Sequence, residues 1–236
     1  MPFTKYEERG AYHWQELADR SVGGYAARLR AFYSFFLDEA GKRGPDVVID
    51  VGCGDAALTH LIAERTGASV TGIEPEPEGI EMARTALAAA GSRAEVIQAR
   101  GEDLPFGDDS AALVVMCEVV EHIDPIEPVL REAARVLRPG GALLVSTPQW
   151  QTPELREHHV REFTATELRT TLEECVGAAE VLVSEPPRLY DAYMRGGAVT
   201  AGVNLLARAG LNPFAVRRPG TPRRARWREL FAVATR

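Results

Sequence analysis

Cysteine is scarce in this sequence and badly placed for cross-linking. Cys53, Cys117 and Cys175 are odd in number, far apart and without a CxxC pair, which excludes a disulfide framework and a structural zinc knuckle. Each reads as a small buried hydrophobe. Long apolar runs are also lacking: no stretch approaches the roughly 18 consecutive apolar residues of a spanning helix. The N-terminal MPFTKYEERG is charged and polar and has no secretory pattern, so the expected location is the cytoplasm. There is no internal repeat and no low-complexity tract. What remains is an ordinary composition, 45% hydrophobic and 26% charged over 236 residues, enough for one large core with embellishments.

Lysine disappears altogether from the C-terminal part. Residues 195–236 hold nine Arg, no Lys and one acid, Glu229, a charge of +8, against 18 basic and 33 acidic residues, −15, in the first 194. An acidic body with an arginine-rich tail has two electrostatic halves. The tail either covers the body's own acids or docks an anionic group, and charge alone favours the first.

The hydrophobic pattern switches repeatedly between strand and helix spacing. Ser21–Lys42 carries Tyr25, Leu29, Phe32, Tyr33, Phe36 and Leu37 at helical intervals and stops at Gly41 and Gly44. Strands are expected at 46–51, 69–73, 94–99, 113–117 and 142–147, with helices at 57–66, 78–90 and 126–137 between them. A parallel sheet covered on both faces by right-handed crossovers follows. After Pro148 come a polar loop rich in His and Glu, a helix at 164–175, a strand at 180–184, helical pieces within 190–209 broken by Gly196-Gly197, and a last strand at 230–234.

In such sheets ligands sit beyond the carboxyl ends of the strands where strand order reverses. The turn after the first strand, Gly52-Cys-Gly54-Asp55, lets backbone approach a ligand, and the next helix aims its amides at the same place. A lone GxG is weak, but the second strand ends in Glu74, at the spacing where an acid receives a ribose diol. The pair favours a nucleoside-containing cofactor. Asp50, a carboxylate inside an apolar run, needs partners and is assigned to the same site rather than to a simple turn cap.

Val48-Ile-Asp-Val-Gly-Cys-Gly-Asp55, Thr71-Gly-Ile-Glu74, Gly101-Glu-Asp-Leu-Pro-Phe106, Val115-Met-Cys-Glu-Val-Val-Glu-His122 and Arg135-Val-Leu-Arg-Pro-Gly-Gly141 occur in that order. Together they resemble the class I S-adenosylmethionine-dependent methyltransferases. The rival is a nicotinamide dehydrogenase, whose GxGxxG does not match Gly-Cys-Gly-Asp-Ala-Ala. The resemblance implies a doubly wound, mainly parallel seven-stranded sheet with an antiparallel final strand, and S-adenosyl-L-methionine as cofactor. It implies cofactor-binding roles for Asp50, Gly52, Gly54, Glu74, Glu102, Asp103 and Glu118. Ala56 stands where the family usually has a third glycine, and Arg100 where it often has an acid that meets the adenine amine, so adenine recognition passes to Glu102, Asp103 or backbone.

Methyl transfer is an in-line displacement, so the acceptor must be positioned and a hydroxyl proton removed. Past the fourth and fifth strands lie Glu118, Glu121 and His122, which share one face if Glu118 starts a helical turn, and His158-His159 with Glu162. Glu121, His122 and His159 are the candidate catalytic residues. Three readings stay open: a general base, His122 or His159; a divalent site for Mg²⁺ or Mn²⁺ made by Glu118, Glu121, His122 and His159; or a helix cap that fixes a loop. ExxEH followed by HxxEFT is similar both to the metal-binding pattern of small-RNA 2′-O-methyltransferases and to metal-free sugar and natural-product enzymes.

The expected acceptor is a small molecule or glycan, a hydroxyl of a sugar, polysaccharide precursor or secondary metabolite, since an acidic body disfavours nucleic acid. RNA ribose methylation and a non-catalytic cofactor-binding scaffold are the alternatives. Tyr12, His13 and Trp14 either stack on an acceptor as part of a lid or anchor the first helix. The reading divides the chain into an N-terminal arm and helix on the acceptor side (1–44), a cofactor-binding and catalytic core (45–185), a basic insertion for acceptor or homodimer contacts (186–227) and a final strand (228–236).

Overall fold

A computed structural model describes residues 10–18, 24–149, 155, 158–184, 196–209 and 229–236. Seven strands form one sheet: β1 (Val47–Val51), β2 (Ser69–Glu74), β3 (Glu95–Gln98), β4 (Ala111–Cys117), β5 (Leu137–Pro148), β6 (Ala178–Ser184) and β7 (Glu229–Thr235). Their order is β3-β2-β1-β4-β5-β7-β6. The first five pair in parallel, and β7 runs antiparallel to both of its neighbours, which is the expected mixed sheet with an antiparallel final strand.

Helices are α1 (Tyr12–Ala18), α2 (Gly24–Arg43), α3 (Ala57–Thr66), α4 (Pro77–Ala89), α5 (Glu127–Val136), α6 (Ala165–Cys175) and α7 (Ala198–Arg208). Side chains alternate across the sheet as the pleat requires. Val48, Leu113, Val115 and Leu144 face a core under α2, α3 and α4 that holds Phe35, Phe36 and Ile62. Ile49, Val51, Val114, Met116 and Val145 face a second core under α5 and α6. The strands are apolar on both faces because both faces are covered.

Two boundaries differ from the sequence reading. α5 ends at Val136, and Leu137 is already extended (φ −69°, ψ 131°), so β5 starts five residues before Ala142. Its pairing with β4 shifts register between Ala111 and Leu113. The Arg138–Gly141 stretch thus continues a strand through a bulge, which two glycines tolerate, rather than only ending a helix. α1, seven residues long, was not expected as a separate helix.

Of residues 186–227, expected to form a basic insertion, only 196–209 are described. There Val203 is buried whereas Leu205 and Leu206 are exposed. Lys5–Arg9, Tyr190, Tyr193, Met194, Leu211, Phe214 and Arg217, Arg218, Arg223 and Arg224 lie outside the described residues. Among the described residues no helix is long and apolar enough to cross a membrane.

Candidate functional site

Strand order reverses between β1 and β4, two interior strands, so the loops after them meet at the carboxyl end of the sheet, away from its edges. The meeting is a direct contact. Gly52 has φ +70°, and a Cβ there would sit 2.6 Å from a Val119 methyl group. Glycine is therefore required twice over, by the left-handed backbone and by the residue that follows β4.

Most amides of the turn after β1 have assigned partners. Gly52 and Cys53 donate to the Ile73 carbonyl at 2.7 and 3.0 Å, and Ala56 donates to the Cys53 carbonyl at 2.9 Å. Gly54 donates to Glu74 Oε2 at 3.0 Å, while Glu74 Oε1 accepts from the Glu76 amide at 3.2 Å. Glu74 can reach the turn because residue 79 is glycine: a Cβ there would lie 2.8 Å from Glu74 Cγ. Gly72 likewise leaves room for the Cys53 thiol. Ala56 is buried with φ +60°, the left-handed region that glycine enters without cost, which is the physical reason a third glycine suits this position.

Asp50, Glu74 and Asp55 are buried carboxylates at this turn. Burial raises the Glu74 carboxyl and the two backbone amides oppose it. Asp50 Oδ2 accepts from the Thr59 hydroxyl at 2.7 Å. Burial pushes Asp50 up to about 7, opposed by the Thr59 hydrogen bond and assisted by the charge of Glu74. All three acids, behind desolvation, also push the Cys53 thiol up, so Cys53 is no nucleophile. Burial thus favours the neutral form of Asp50 and Glu74 at this turn.

The Asp50 shift has a measurable sign. Its folded value lies above the ordinary 3.8, so the folded protein keeps a proton that the unfolded chain releases. Stability from this group is intact below about pH 4 and is lost as pH rises to about 7. Asp50→Asn keeps an acceptor for Thr59. Its melting temperature without cofactor is expected to gain on wild type between about pH 4 and pH 7 and to hold that gain above. A difference that does not change with pH would contradict the assignment.

Beyond β4 the backbone turns sharply. Glu118 has φ +57° and is held by Ser146, whose hydroxyl donates to Glu118 Oε1 at 2.8 Å. Residues 120–122 form a single 3₁₀ turn. The single helical face expected for Glu118, Glu121 and His122 does not form, because the left-handed residue precedes the turn.

What does form is a cluster of Glu121, His122 and His159, in which one ligand atom from each lies within 4.8 Å of the others. Glu118 is outside it. Glu121 is buried, and Thr147 donates to its Oε2 at 3.0 Å. Burial, then the charges of Glu118 and Glu229, hold its carboxyl well above the usual range. Its carbonyl accepts the Val160 and Arg161 amides at 2.9 and 3.2 Å, which brings the His158–Glu162 loop across the end of β4.

Both imidazoles are oriented through Nδ1. His122 Nδ1 donates to the His158 carbonyl at 2.8 Å, and His159 Nδ1 donates to Glu162 Oε1 at 3.0 Å. In the neutral rings these bonds put the lone pair on Nε2. The rings meet edge to face with centroids 5.1 Å apart, and His122 Nε2 lies 3.9 Å from Glu121 Oε1.

Glu102 and Asp103 sit on the exposed loop after β3, where Glu102 pairs with Arg100 at 3.3 Å. Three polar residues at the site, Thr59, Ser146 and Thr147, escaped the sequence reading, and a fourth, Glu229, was noticed only for its charge. Ser146 and Thr147 could have been noticed as hydroxyls closing an apolar strand. Glu229, buried opposite Pro148, is the lone acid in the arginine-rich tail.

Residues 49–145 match the family described as Methyltransferase domain. The ubiquinone biosynthesis O-methyltransferase of Rhizobium leguminosarum bv. trifolii is 35% identical over 100 residues, 42% of this chain and 39% of the relative. The demethylmenaquinone methyltransferase of Tropheryma whipplei is 34% identical over 153 residues, 64% of this chain and 58% of the relative. The chain thus spans less than two thirds of either relative. A solved geranyl diphosphate methyltransferase, in complex with GPP and sinefungin, shares the fold with a TM-score of 0.66 at 19% identity, over 88% of this chain and 78% of that one.

Proposed function

We propose that the chain is a class I S-adenosylmethionine-dependent methyltransferase, a reading supported by the match of residues 49–145 to the Methyltransferase domain family and by the strand order, and that it transfers a methyl group from S-adenosylmethionine to a hydroxyl oxygen of a small-molecule acceptor. The carrying observation is the Glu121–His122–His159 cluster, placed at the loop that touches the glycine turn. When bound, S-adenosylmethionine supplies an electrophilic methyl on a positively charged sulfur. Glu74 at the end of β2 is the ribose acceptor.

The acceptor hydroxyl gives its proton to Nε2 of His159 as its oxygen bonds to the methyl carbon. Glu162 holds the ring by Nδ1 and stabilises the imidazolium that results. Bound at the turn, the cofactor would supply both the methyl group and the leaving group of this transfer, a neutral thioether that keeps the electron pair of the broken carbon–sulfur bond. Val119, packed on Gly52, fixes the loop after β4, which carries Glu121 and His122, against the cofactor turn.

One carboxylate and two imidazoles within 4.8 Å also fit a divalent cation, Mn²⁺ better than Mg²⁺ because imidazole is a softer donor than oxygen. Glu121, His122 and His159 would hold it, and it would lower the pKa of the acceptor hydroxyl. The name of the Rhizobium relative, a ubiquinone biosynthesis O-methyltransferase, favours an aromatic, quinone-type hydroxyl ahead of the sugar hydroxyl that the sequence suggested, and that of the Tropheryma relative, a demethylmenaquinone methyltransferase, agrees with a quinone-type acceptor without naming the atom.

A panel of a catechol, a glycoside and an oligoribonucleotide, assayed from low to moderate salt with and without chelator, tests this reading. Methylation of the catechol at a rate nearly flat in salt is expected. A chelator-sensitive rate assigns the cation, and an insensitive one assigns the histidine base alone. Methylation of the oligonucleotide instead, with a salt slope of about −0.7 per phosphate contact, would overturn the small-molecule reading.

A further inference from the structure

The turn that follows β1 is tied to more than the sheet. Asp55 is fully buried, and among the described residues its long-range ties come from α1. The His13 amide donates to Asp55 Oδ2 at 3.0 Å, and His13 Nδ1 meets Oδ1 at 3.0 Å. The Trp14 indole N–H donates to the Asp55 carbonyl at 2.7 Å. Asp55 Oδ1 also accepts the Ala57 amide at 3.3 Å, which starts α3. One carboxylate thereby joins the entry of α1 to the entry of α3.

The rest of α1 is seated to keep this contact. Trp14 packs on His60 of α3 at 5.1 Å between centroids, His13 lies 6.4 Å from the Tyr33 ring, and Tyr12 is buried. Gly54, next to Asp55, is held by Glu74 at the end of β2. The turn is therefore gripped between β2 and α1, and only the β2 grip belongs to the sheet.

We propose that His13 is a positioning residue for the cofactor, acting through Asp55: it holds Gly52–Asp55 in the receiving conformation and couples the seating of α1 to cofactor occupancy. This rests on the cofactor reading above. Coupling of this kind is reciprocal, so whatever α1 adds to cofactor affinity the cofactor returns to the seating of α1.

The test is calorimetric titration of the full chain with S-adenosylhomocysteine, together with hydrogen exchange of residues 10–18. His13→Ala is expected to weaken binding about tenfold, the scale of one hydrogen bond to a carboxylate, while the melting temperature without ligand changes little. His13→Asn, which keeps a side-chain donor, should restore most of the affinity. Trp14→Phe removes the indole N–H but keeps the ring on His60, and should give a smaller loss. In wild type, saturating ligand should slow exchange in α1. A wild type that binds neither S-adenosylmethionine nor its demethylated product removes the cofactor reading itself. Binding by wild type, with unchanged affinity in Trp14→Phe and in whichever His13 variant folds, removes this inference alone.

Discussion

Replacing His159 by alanine is expected to lower the methyl-transfer rate by about 100-fold or more while the melting temperature moves little. The rate effect follows from orientation. Glu162 engages Nδ1 at 3.0 Å, so the tautomer that receives a proton at Nε2 is set before the acceptor arrives. Stability should be spared because the loop that carries His159 is anchored by backbone, through the Glu121 carbonyl, and not by the imidazole. His122→Ala should also lower the rate, through the cluster it shares with His159, but its imidazole donates to the His158 carbonyl and so helps to anchor the same loop, so a fall in melting temperature is expected beside the loss of rate. Glu162→Gln should fall between wild type and His159→Ala, because an amide still accepts the Nδ1 hydrogen bond without stabilising the imidazolium. Single-turnover rates paired with melting curves decide the matter. Full rate in both histidine variants, or losses that merely track unfolding, would assign the cluster to the loop fold.

Glu74→Ala is expected to weaken binding of S-adenosylmethionine and its demethylated product by about 1 to 3 kcal/mol. Glu74 does two jobs: it accepts the Gly54 and Glu76 amides, and it offers the carboxylate for a ribose diol. Alanine removes both and leaves the Gly54 N–H without its partner. Glu74→Gln separates them, because its amide oxygen can still take the Gly54 hydrogen bond while the charge is gone. Its loss should be smaller than that of Glu74→Ala. Calorimetry on the three proteins gives the comparison, and equal affinities would withdraw Glu74 from the cofactor site.

The sheet was legible in the sequence because its strands are buried on both faces. Val48–Val51, Leu113–Cys117 and Ala142–Thr147 read as apolar runs between turn residues, and they form β1, β4 and the main part of β5. The glycine turn and Glu74 were legible for a related reason: glycine spacing and an acid at a strand end report backbone demands that do not depend on distant packing. The helical face of Glu118, Glu121 and His122 was not recoverable, since the left-handed backbone at Glu118 suits the Ser146 contact on the neighbouring strand. Asp55 looked like a turn residue. Its buried hydrogen bonds to His13 and Trp14 join positions 42 and 41 residues apart, and no periodicity reports a contact of that kind. Thr59 and Thr147 escaped notice because a threonine in an apolar run passes for a strand or helix filler until its carboxylate partner is seen.

The most direct measurement is mass spectrometry of acceptor pools after incubation with S-adenosylmethionine labelled in its methyl group. The account predicts that the label appears on an oxygen of a small molecule, with one S-adenosylhomocysteine formed for each methyl transferred, and that His159→Ala suppresses both signals together. Cofactor binding without any labelled product across the pools, or transfer that proceeds at full rate in His159→Ala, would contradict it.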